Sequence, residues 1–390
     1  MASSLPTADD VMTVLGTVMD PELGSDIVTL GMAKGAAVDP SGSVDVTIAL
    51  TTAGCPLRAY IQSETRSRIG DMDGVSEVTI HWTELNDAEK AETMSIARLK
   101  ASERAGETAI PASTKVIAVA SGKGGVGKSS VTANLAAALA TQGMNVGVID
   151  ADIWGFSIPR MLGLDGRLNA ESGDGGGAKI TPLSLEAGAG RLDVVSMGFL
   201  VDDEESALLW RGLMLNRAVQ HFLEDVAWAS DLDYVVIDMP PGTGDVAMGL
   251  ARMLPRAEML IVTTPAQGAQ KVAARAVSMA RKSHLRVVGV IENMSEFTAP
   301  DGSVHALFGS GGGQALADMA NVPLVGRIPI EPAISSGGDE GVPVALADGP
   351  GSAEFHRIAE RLIDELVPPV SMASCTARML AAVEAALDAE

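Results

Sequence analysis

A glycine-rich segment followed by lysine and serine is the strongest chemical signal in the sequence. Residues Gly122–Ser129 read G-K-G-G-V-G-K-S and match the pattern G-x-x-x-x-G-K-[ST]. In this pattern the backbone N–H groups point inward at phosphate oxygens, the lysine reaches the β- and γ-phosphates, and the hydroxyl ligates Mg²⁺. Lys128 and Ser129 occupy the last two positions. A purely structural glycine turn would not need Lys-Ser there, so the segment predicts a nucleotide site.

Acidic side chains close two other apolar runs. Asp150 and Asp152 follow Val146–Ile149, and Asp238 follows Tyr234–Ile237. A carboxylate beyond a strand end can hold Mg²⁺ through water or position an attacking water, and Asp238 is the predicted Mg²⁺ residue. Such acids can also be ordinary helix N-caps. Three of them around one phosphate loop are better explained together, as parts of the nucleotide site.

Two further residues near strand ends could contact the nucleotide. Gly242 follows a pair of prolines that stiffen the loop, so its N–H can come close to a γ-phosphate. Asn293 comes after the apolar run Val287–Ile291, and its amide can donate to and accept from a purine edge. A structural turn made by Asn293 is an equally good interpretation from its chemistry alone.

The elements that must position these residues alternate between strand and helix. Helical stretches such as Ser130–Ala140 and Ala269–Arg281 separate apolar runs that are typical of buried strands. This alternation predicts an α/β fold with a mostly parallel, doubly wound sheet, and ligands of such sheets bind beyond the carboxyl ends of the strands. The predicted strands are Val116–Ala120, Val146–Ile149, Tyr234–Ile237, Met259–Val262 and Val287–Ile291.

Composition and pattern divide the chain into four parts. In the first part, strand-like Ser43–Leu50 and Val75–Trp82 flank a helical Pro56–Ile69, which is typical of a small α+β domain. A charged helix and a polar linker separate it from the α/β domain. The predicted parts are the small domain at residues 1–86, the helix and linker at 87–113, the P-loop domain at 114–368 and a helical tail at 369–390.

The overall charge excludes several classes of partner. The 390 residues include 28 Lys and Arg against 50 Asp and Glu, a formal net charge of −22, which argues against nucleic-acid and anionic-membrane binding. No apolar run approaches the roughly 18 residues that a membrane-spanning helix needs, and the start has no signal-peptide pattern. Two cysteines cannot form a disulfide framework. We therefore expect a cytoplasmic protein.

Lys123 places a second lysine in the phosphate loop. It could be a solvated surface charge, but the pattern K-G-G-x-G-K-[ST] resembles the deviant P-loop of ParA/MinD-like ATPases. That resemblance implies that Lys123 reaches across a face-to-face homodimer and stabilises charge on the phosphoryl group at the partner's nucleotide. It also implies that Asp152 lies in a switch loop and positions the attacking water, and that Asn293 binds adenine.

Further segments narrow the resemblance to the Mrp/ApbC family, P-loop ATPases regarded as iron–sulfur cluster carriers. In order, they are SGKGGVGKS, DADIWG, WRGLM, DMPPGTGD, TTPA, ENMS, FGSGGG and GRIPI. Near the N-terminus, DPEL, IVTLG and TTAGCP resemble the small domain of iron–sulfur assembly factors.

The resemblance implies ATP and Mg²⁺ as cofactors, slow hydrolysis, and apoprotein clients. Its catalytic residues would be Lys123, Lys128 and Asp152, with Ser129 and Asp238 at Mg²⁺. The implied nucleotide-binding residues are Gly122, Lys123, Gly124, Gly125, Val126, Gly127, Lys128, Ser129, Ser130, Gly242 and Asn293.

One segment departs from the family pattern. The family usually has C-P-x-C between ENMS and FG, and paired subunits bind a bridging cluster through those thiolates. This chain has Ala299 and Gly302 at the cysteine positions, and neither can ligate iron. Cys55, near a predicted helix start that would favour the thiolate, is the remaining candidate iron–sulfur ligand, although a small buried residue is nearly as good an interpretation. Cys375 is expected to be structural or incidental.

Three functions therefore stay open. The leading one is a homodimeric ATPase that carries iron–sulfur clusters to apoproteins, with ATP switching the dimer. The second is an ATP-dependent scaffold or chaperone for cluster enzymes that holds no cluster itself, and the missing C-P-x-C makes it the serious rival. The third is a ParA/MinD-like positioning ATPase, which the acidic composition disfavours.

Overall fold

The computed structural model describes residues 5–52, 55–104, 108–152, 155–172, 178–200, 212–254 and 256–369. The chain divides into two compact units, Met1–Ala105 and Gly106–Glu390. This division falls inside the predicted helix-and-linker segment at 87–113. The predicted tail at 369–390, with Cys375, lies outside the described residues apart from Pro369. None of the helices described is long and apolar enough to cross a membrane.

The N-terminal unit is built on a three-stranded sheet of order β3-β4-β5. The central strand β4 is antiparallel to β3 and parallel to β5, and its alternating residues Val44, Val46 and Ile48 point into the core. The elements of this unit are α1 (Ala8–Leu15), β1 (Met19–Asp20), β2 (Ser25–Asp26), β3 (Ala33–Val38), β4 (Ser43–Leu50), α2 (Arg58–Gly70), β5 (Glu77–Glu84) and α3 (Asp87–Arg104).

The larger unit contains an eight-stranded sheet of order β10-β11-β7-β12-β6-β13-β14-β17. The strands of this unit are β6 (Lys115–Ser121), β7 (Asn145–Asp150), β8 (Asn169–Ser172), β9 (Ala178–Thr181), β10 (Leu183–Ala187), β11 (Gly190–Ser196), β12 (Tyr234–Asp238), β13 (Glu258–Thr263), β14 (Arg286–Glu292), β15 (Phe297–Thr298), β16 (Val304–His305) and β17 (Leu324–Arg327).

Its helices are α4 (Lys128–Thr141), α5 (Ile158–Met161), α6 (Gly212–Glu224), α7 (Asp245–Met253), α8 (Gln267–Lys282), α9 (Gly312–Ala320), α10 (Pro332–Glu340) and α11 (Pro350–Arg361). There are 3₁₀ turns at Met197–Leu200 and Val344–Leu346 and a π-helical turn at Leu362–Leu366.

All neighbouring strands of the large sheet are parallel, except that β10 runs antiparallel to β11 at one edge. Each of the five predicted strands is present, so the prediction of a doubly wound α/β fold is confirmed. Side chains of β6 alternate between two hydrophobic clusters, with Val116 and Ala118 in one and Ile117 and Val119 in the other. The sheet is therefore buried on both faces. This packing holds in place the strand ends that carry the polar residues.

Sequence patterns missed the elements at the edges of this sheet. Strand β11 carries Arg191 and Asp193, and β17 has only four residues, so neither is a continuous apolar run.

The hairpin β15–β16 occupies the segment that departs from C-P-x-C. Its Ala299 N–H donates to Ser303 O at 2.8 Å, and its Gly302 N–H donates to Ala299 O at 2.9 Å. These two positions therefore form the turn of an exposed hairpin.

Candidate nucleotide-binding site

The phosphate loop connects the end of β6 to the start of α4. Gly125 and Gly127 have φ of 76° and 79°, in the left-handed region that glycine adopts without strain. Gly122 is required for a different reason, because a Cβ there would collide with the backbone of Val272 and Ala273 in α8. The loop thus needs glycine at two positions for its backbone conformation and at a third because it lies tightly against α8.

The side chains at the start of α4 converge on two acidic strand ends. The Lys128 ammonium lies 2.7 Å from Asp238 Oδ1 and 3.4 Å from Asp152 Oδ2, and the lysine side chain is only 6% exposed. Ser129 Oγ donates to Asp238 Oδ2 at 2.5 Å. The structure therefore brings the adjacent residues Lys128 and Ser129 together with Asp152 and Asp238, which come much later in the sequence.

Strand register explains this convergence. Asp238 at the end of β12 pairs with Asp150 at the end of β7, and Asp150 pairs with Ser196 at the end of β11. Because these strands are parallel, their carboxyl ends form one row of polar residues. Asp152 follows two residues after Asp150 and so reaches the same row.

The carboxylates of Asp150 and Asp152 are buried close to other acids, and this changes their pKa values. Burial, together with the nearby charge of Asp238, raises the pKa of Asp150 to about 7, although the Lys128 ammonium opposes this rise. Burial also raises the pKa of Asp152, again against the effect of Lys128. The lysine is therefore the cation that allows several acids to share this edge of the sheet.

Two residues that the sequence analysis missed donate hydrogen bonds to the carboxylates at these strand ends. Thr132 Oγ1 donates to Asp238 Oδ1 at 2.9 Å, and Ser196 Oγ donates to Asp150 Oδ2 at 3.1 Å. Thr132 lies four residues after Lys128, so helical spacing could have placed it on the same face. Ser196 ends a strand that the sequence patterns did not reveal, so no signal pointed to it.

Asn293 and Gly242 both contact the phosphate-loop region through hydrogen bonds within the protein. Asn293 Nδ2 donates to Val126 O at 2.9 Å, so the amide holds the backbone of the phosphate loop in place. The Gly242 N–H donates to Ser121 O at 3.0 Å, with a φ of 84°. The predicted contacts of Asn293 with adenine and of Gly242 with a γ-phosphate stay predictions.

Lys123 differs from Lys128 in its surroundings. Its residue is exposed at the tip of the loop, and Ser121 Oγ donates to its carbonyl at 3.0 Å. Among the residues that the structure describes, no carboxylate forms an ion pair with its ammonium. Lys123 is thus exposed where Lys128 is buried.

Cys55 lies in the N-terminal unit. It is partly buried against the core of that unit, and its carbonyl accepts from the Arg58 N–H at 3.2 Å, just before α2 begins. The described part of the chain contains no cluster of three or more His, Cys, Asp or Glu side chains that could hold a metal. Cys55 is the only cysteine in the part of the chain that the structure describes.

Comparison with known proteins decides the family. A family model described as NUBPL iron-transfer P-loop NTPase matches residues 112–363, which is more than half of the chain. The chain belongs to this family. A second model, described as iron-sulfur cluster assembly protein, matches residues 8–82. The resemblance of both parts to iron–sulfur proteins is thereby confirmed.

Relatives match nearly the whole chain. An iron-sulfur cluster carrier protein of Mycobacterium tuberculosis is 44% identical over 90% of this chain and 92% of its own length. A protein of the same name from Synechocystis is 39% identical over 94% of this chain and 99% of its own.

Among solved structures, a nucleotide-binding protein from Archaeoglobus fulgidus in complex with ADP is 36% identical, covers 58% of this chain and 86% of its own, and has a TM-score of 0.48. Because that score is low, the fold assignment rests on the strand order and the family model.

The side chains of this P-loop NTPase fit a magnesium nucleotide. Mg²⁺ prefers oxygen ligands, and the Ser129 hydroxyl and the Asp238 carboxylate supply them side by side. Lys128 supplies positive charge, and the loop supplies backbone N–H groups at a helix N-terminus. The donor set therefore matches both the metal and the phosphates.

Proposed function

We propose that this chain is a cytoplasmic, homodimeric ATPase that carries iron–sulfur clusters and transfers them to apoprotein clients. The observation that carries the proposal is the gathering of Lys128, Ser129, Asp152 and Asp238 at one sheet edge, in a chain of an iron-transfer family. The names of relatives that match nine-tenths of the chain support the choice of cargo.

The residues of the sheet edge would divide the work of ATP binding and hydrolysis. The phosphate loop and Lys128 would bind the β- and γ-phosphates, and Ser129 and Asp238 would hold Mg²⁺. The metal, when bound, would supply positive charge at the phosphate oxygens. Asp152 would orient the attacking water, since its carboxylate lies 3.4 Å from the Lys128 ammonium at the same edge.

Lys123 is proposed to act on the nucleotide of a second copy. It is exposed and has no ion-pair partner among the described residues, which suits a cation that acts outside its own chain. A switch of this kind turns over slowly, because hydrolysis is needed only to change the shape of the dimer. Sedimentation with a non-hydrolysable ATP analogue is expected to show a dimer, and a monomer under all conditions would contradict this.

The cluster is the cargo, and Cys55 is its proposed protein ligand. A dimer would supply two Cys55 thiolates, whereas iron–sulfur clusters usually take four. The remaining ligands would come from small molecules or from the client, which suits a cluster that must be released. Ala299 and Gly302 lie at the positions of the family's cysteines and cannot contribute.

Anaerobic reconstitution tests this half of the proposal. Iron, sulfide and the visible absorbance would be measured for the wild type, for Cys55→Ser and for Cys375→Ser as the matched control. We expect stoichiometric iron in the wild type and in the control, and none in Cys55→Ser. Iron retained by Cys55→Ser would remove Cys55 from the site.

A second function is favoured by the absence of cysteines at Ala299 and Gly302. In this case the protein would act as an ATP-dependent scaffold for cluster enzymes and hold no iron itself. It would then speed transfer from another carrier to an apoprotein in the Cys55→Ser variant as well as in the wild type. A defect in that assay caused by Cys55→Ser would exclude the scaffold.

A further inference from the structure

The carboxylate of Asp150 is fully buried and accepts four hydrogen bonds. Its Oδ1 accepts from the N–H of Asp152 at 3.2 Å. Its Oδ2 accepts from Ser196 Oγ at 3.1 Å, from the Ser157 N–H at 3.2 Å and from the Ile158 N–H at 3.3 Å. A buried carboxylate without water depends on such donors, and this one has them on both oxygens.

The backbone donors lie at the two ends of one loop. Strand β7 ends at Asp150 and helix α5 begins at Ile158, so the loop between them carries Asp152. One oxygen of Asp150 binds the start of this loop and the other binds its end. The carboxylate therefore binds the backbone of Asp152, the residue proposed to orient the water, and again the backbone of Ser157 and Ile158.

Ser196 extends the same arrangement to a second loop. Its Oγ donates to Asp150 and also accepts from the Gly198 N–H at 3.0 Å, in the turn that follows β11. The ring of Phe156 lies so close to Gly198 that a Cβ at this glycine would collide with it. The loop of Asp152 and the turn after β11 are thus connected both by a hydrogen bond and by packing.

We propose that Asp150 is a positioning residue that acts through Asp152. Its carboxylate is fully buried and fixes the backbone from which the Asp152 carboxylate projects toward Lys128, and Ser196 fixes Asp150 in turn. The inference rests on the proposed function, in which Asp152 orients the water for ATP hydrolysis. Small displacements of such a group lower the rate strongly, because the reaction depends on its alignment.

Replacement by asparagine is the most informative change. An amide has the size of the carboxylate but only one accepting oxygen. If that oxygen faces the three donors on the Oδ2 side, the NH₂ group faces the Asp152 N–H and repels it. Asp150→Asn should therefore loosen the start of the loop while keeping the contacts to Ser157, Ile158 and Ser196.

The first test separates turnover from binding. In Asp150→Asn we expect kcat for ATP to fall about tenfold to a hundredfold. The Kd for nucleotide and the number of sites counted by titration should stay within about twofold of the wild type, since Lys128 is untouched. Ser196→Ala should lower kcat less, about two- to fivefold, because it removes only one of the four hydrogen bonds to the Asp150 carboxylate. A parallel loss of binding in Asp150→Asn would overturn the positioning role.

A matched control lies on the neighbouring strand, β10. Ser184 Oγ of β10 donates to Oδ1 of Asp193 in β11 at 2.6 Å, so Ser184→Ala removes a similar serine–aspartate bond whose acceptor lies three residues before Ser196. We expect its kcat to equal that of the wild type. In an Asp152→Asn background, Asp150→Asn should cause no further loss in single-turnover hydrolysis. A further tenfold loss would mean that Asp150 acts independently of Asp152.

Hydrogen exchange provides a readout that does not depend on hydrolysis. In Asp150→Asn, the amide of Asp152 should exchange at least about tenfold faster than in the wild type, whereas amides of β12 should not change. Unchanged exchange would overturn the inference even if turnover fell. A wild-type protein that does not hydrolyse ATP would contradict the proposed function, and the exchange result would still decide whether Asp150 holds the loop.

Discussion

The phosphate-loop edge and the β15–β16 hairpin differ in what holds their residues in place. At the phosphate loop, Lys128 and Asp238 are buried and meet at 2.7 Å across two elements of the core. In the hairpin, Val304 is 58% exposed, and Ser303 Oγ donates to a neighbour in sequence, Asp301 Oδ1, at 2.6 Å. Substitutions in such an exposed turn cost the fold little. The chain can therefore lack the family's cysteines while keeping the residues of the candidate nucleotide site together.

The largest expected effect comes from removing the buried cation. Lys128→Ala should weaken nucleotide binding at least about a hundredfold, because the phosphates lose their ammonium and the Asp152 and Asp238 carboxylates lose their counterion. Titration with a fluorescent nucleotide would measure this. Lys115→Ala, at the other end of β6, is the control and should bind normally. Equal affinities of the two variants would refute the role of Lys128.

Mixed dimers test whether the edge is shared between two copies. Lys123→Ala and Asp152→Asn should each lower ATP turnover about tenfold or more with little change in nucleotide affinity. In a mixture, a dimer with one chain of each kind has one site with an intact Asp152 and a Lys123 from the partner. Mixing should therefore restore part of the activity. If the mixture is no more active than its components, Lys123 does not act in trans.

A smaller effect is expected at Thr132. Thr132→Val removes the hydroxyl that donates to Asp238 Oδ1 at 2.9 Å, and should raise the Mg²⁺ concentration needed for half-maximal turnover about fivefold. Thr132→Ser keeps the donor and should behave as the wild type. The control is Thr141→Val on the same helix, whose hydroxyl donates to Ala138 O. A Mg²⁺ requirement equally changed in the control would point to helix stability instead.

The smallest effect on ATP chemistry is expected in the hairpin. A double variant with Ala299→Cys and Gly302→Cys restores the spacing of C-P-x-C, and its ATP turnover should stay within about twofold of the wild type. Iron bound after reconstitution should rise in the double variant, while Ala299→Ser with Gly302→Ser should bind no more than the wild type. Gly302 has a φ of 83°, so thermal unfolding should be compared as well. A large loss of turnover would show that the two regions are not separable.

The core strands could be predicted from sequence because burial on both faces demands continuous apolar runs such as Tyr234–Ile237. Strand β11 could not, since its Arg191 and Asp193 interrupt the pattern and form an ion pair at 3.1 Å. The motif likewise predicts Lys128 and Ser129, whose spacing is set by the loop. The residue types alone do not distinguish Asp150 from Asp152, and it was the family resemblance that assigned the water to Asp152. The packed sheet adds that Asp150 is buried among donors and that Asp152 faces the lysine.

Gly122 shows that two glycines of one motif can be retained for unrelated reasons. Gly125 needs its left-handed φ, whereas Gly122 needs space beside the backbone of α8, which no change of side-chain rotamer can provide. In evolutionary terms, a lineage that stopped using ATP could lose Lys128 but would still be expected to keep Gly122. A glycine at this first position is therefore expected wherever the fold is kept. Its presence in a distant relative does not indicate whether that relative binds a nucleotide.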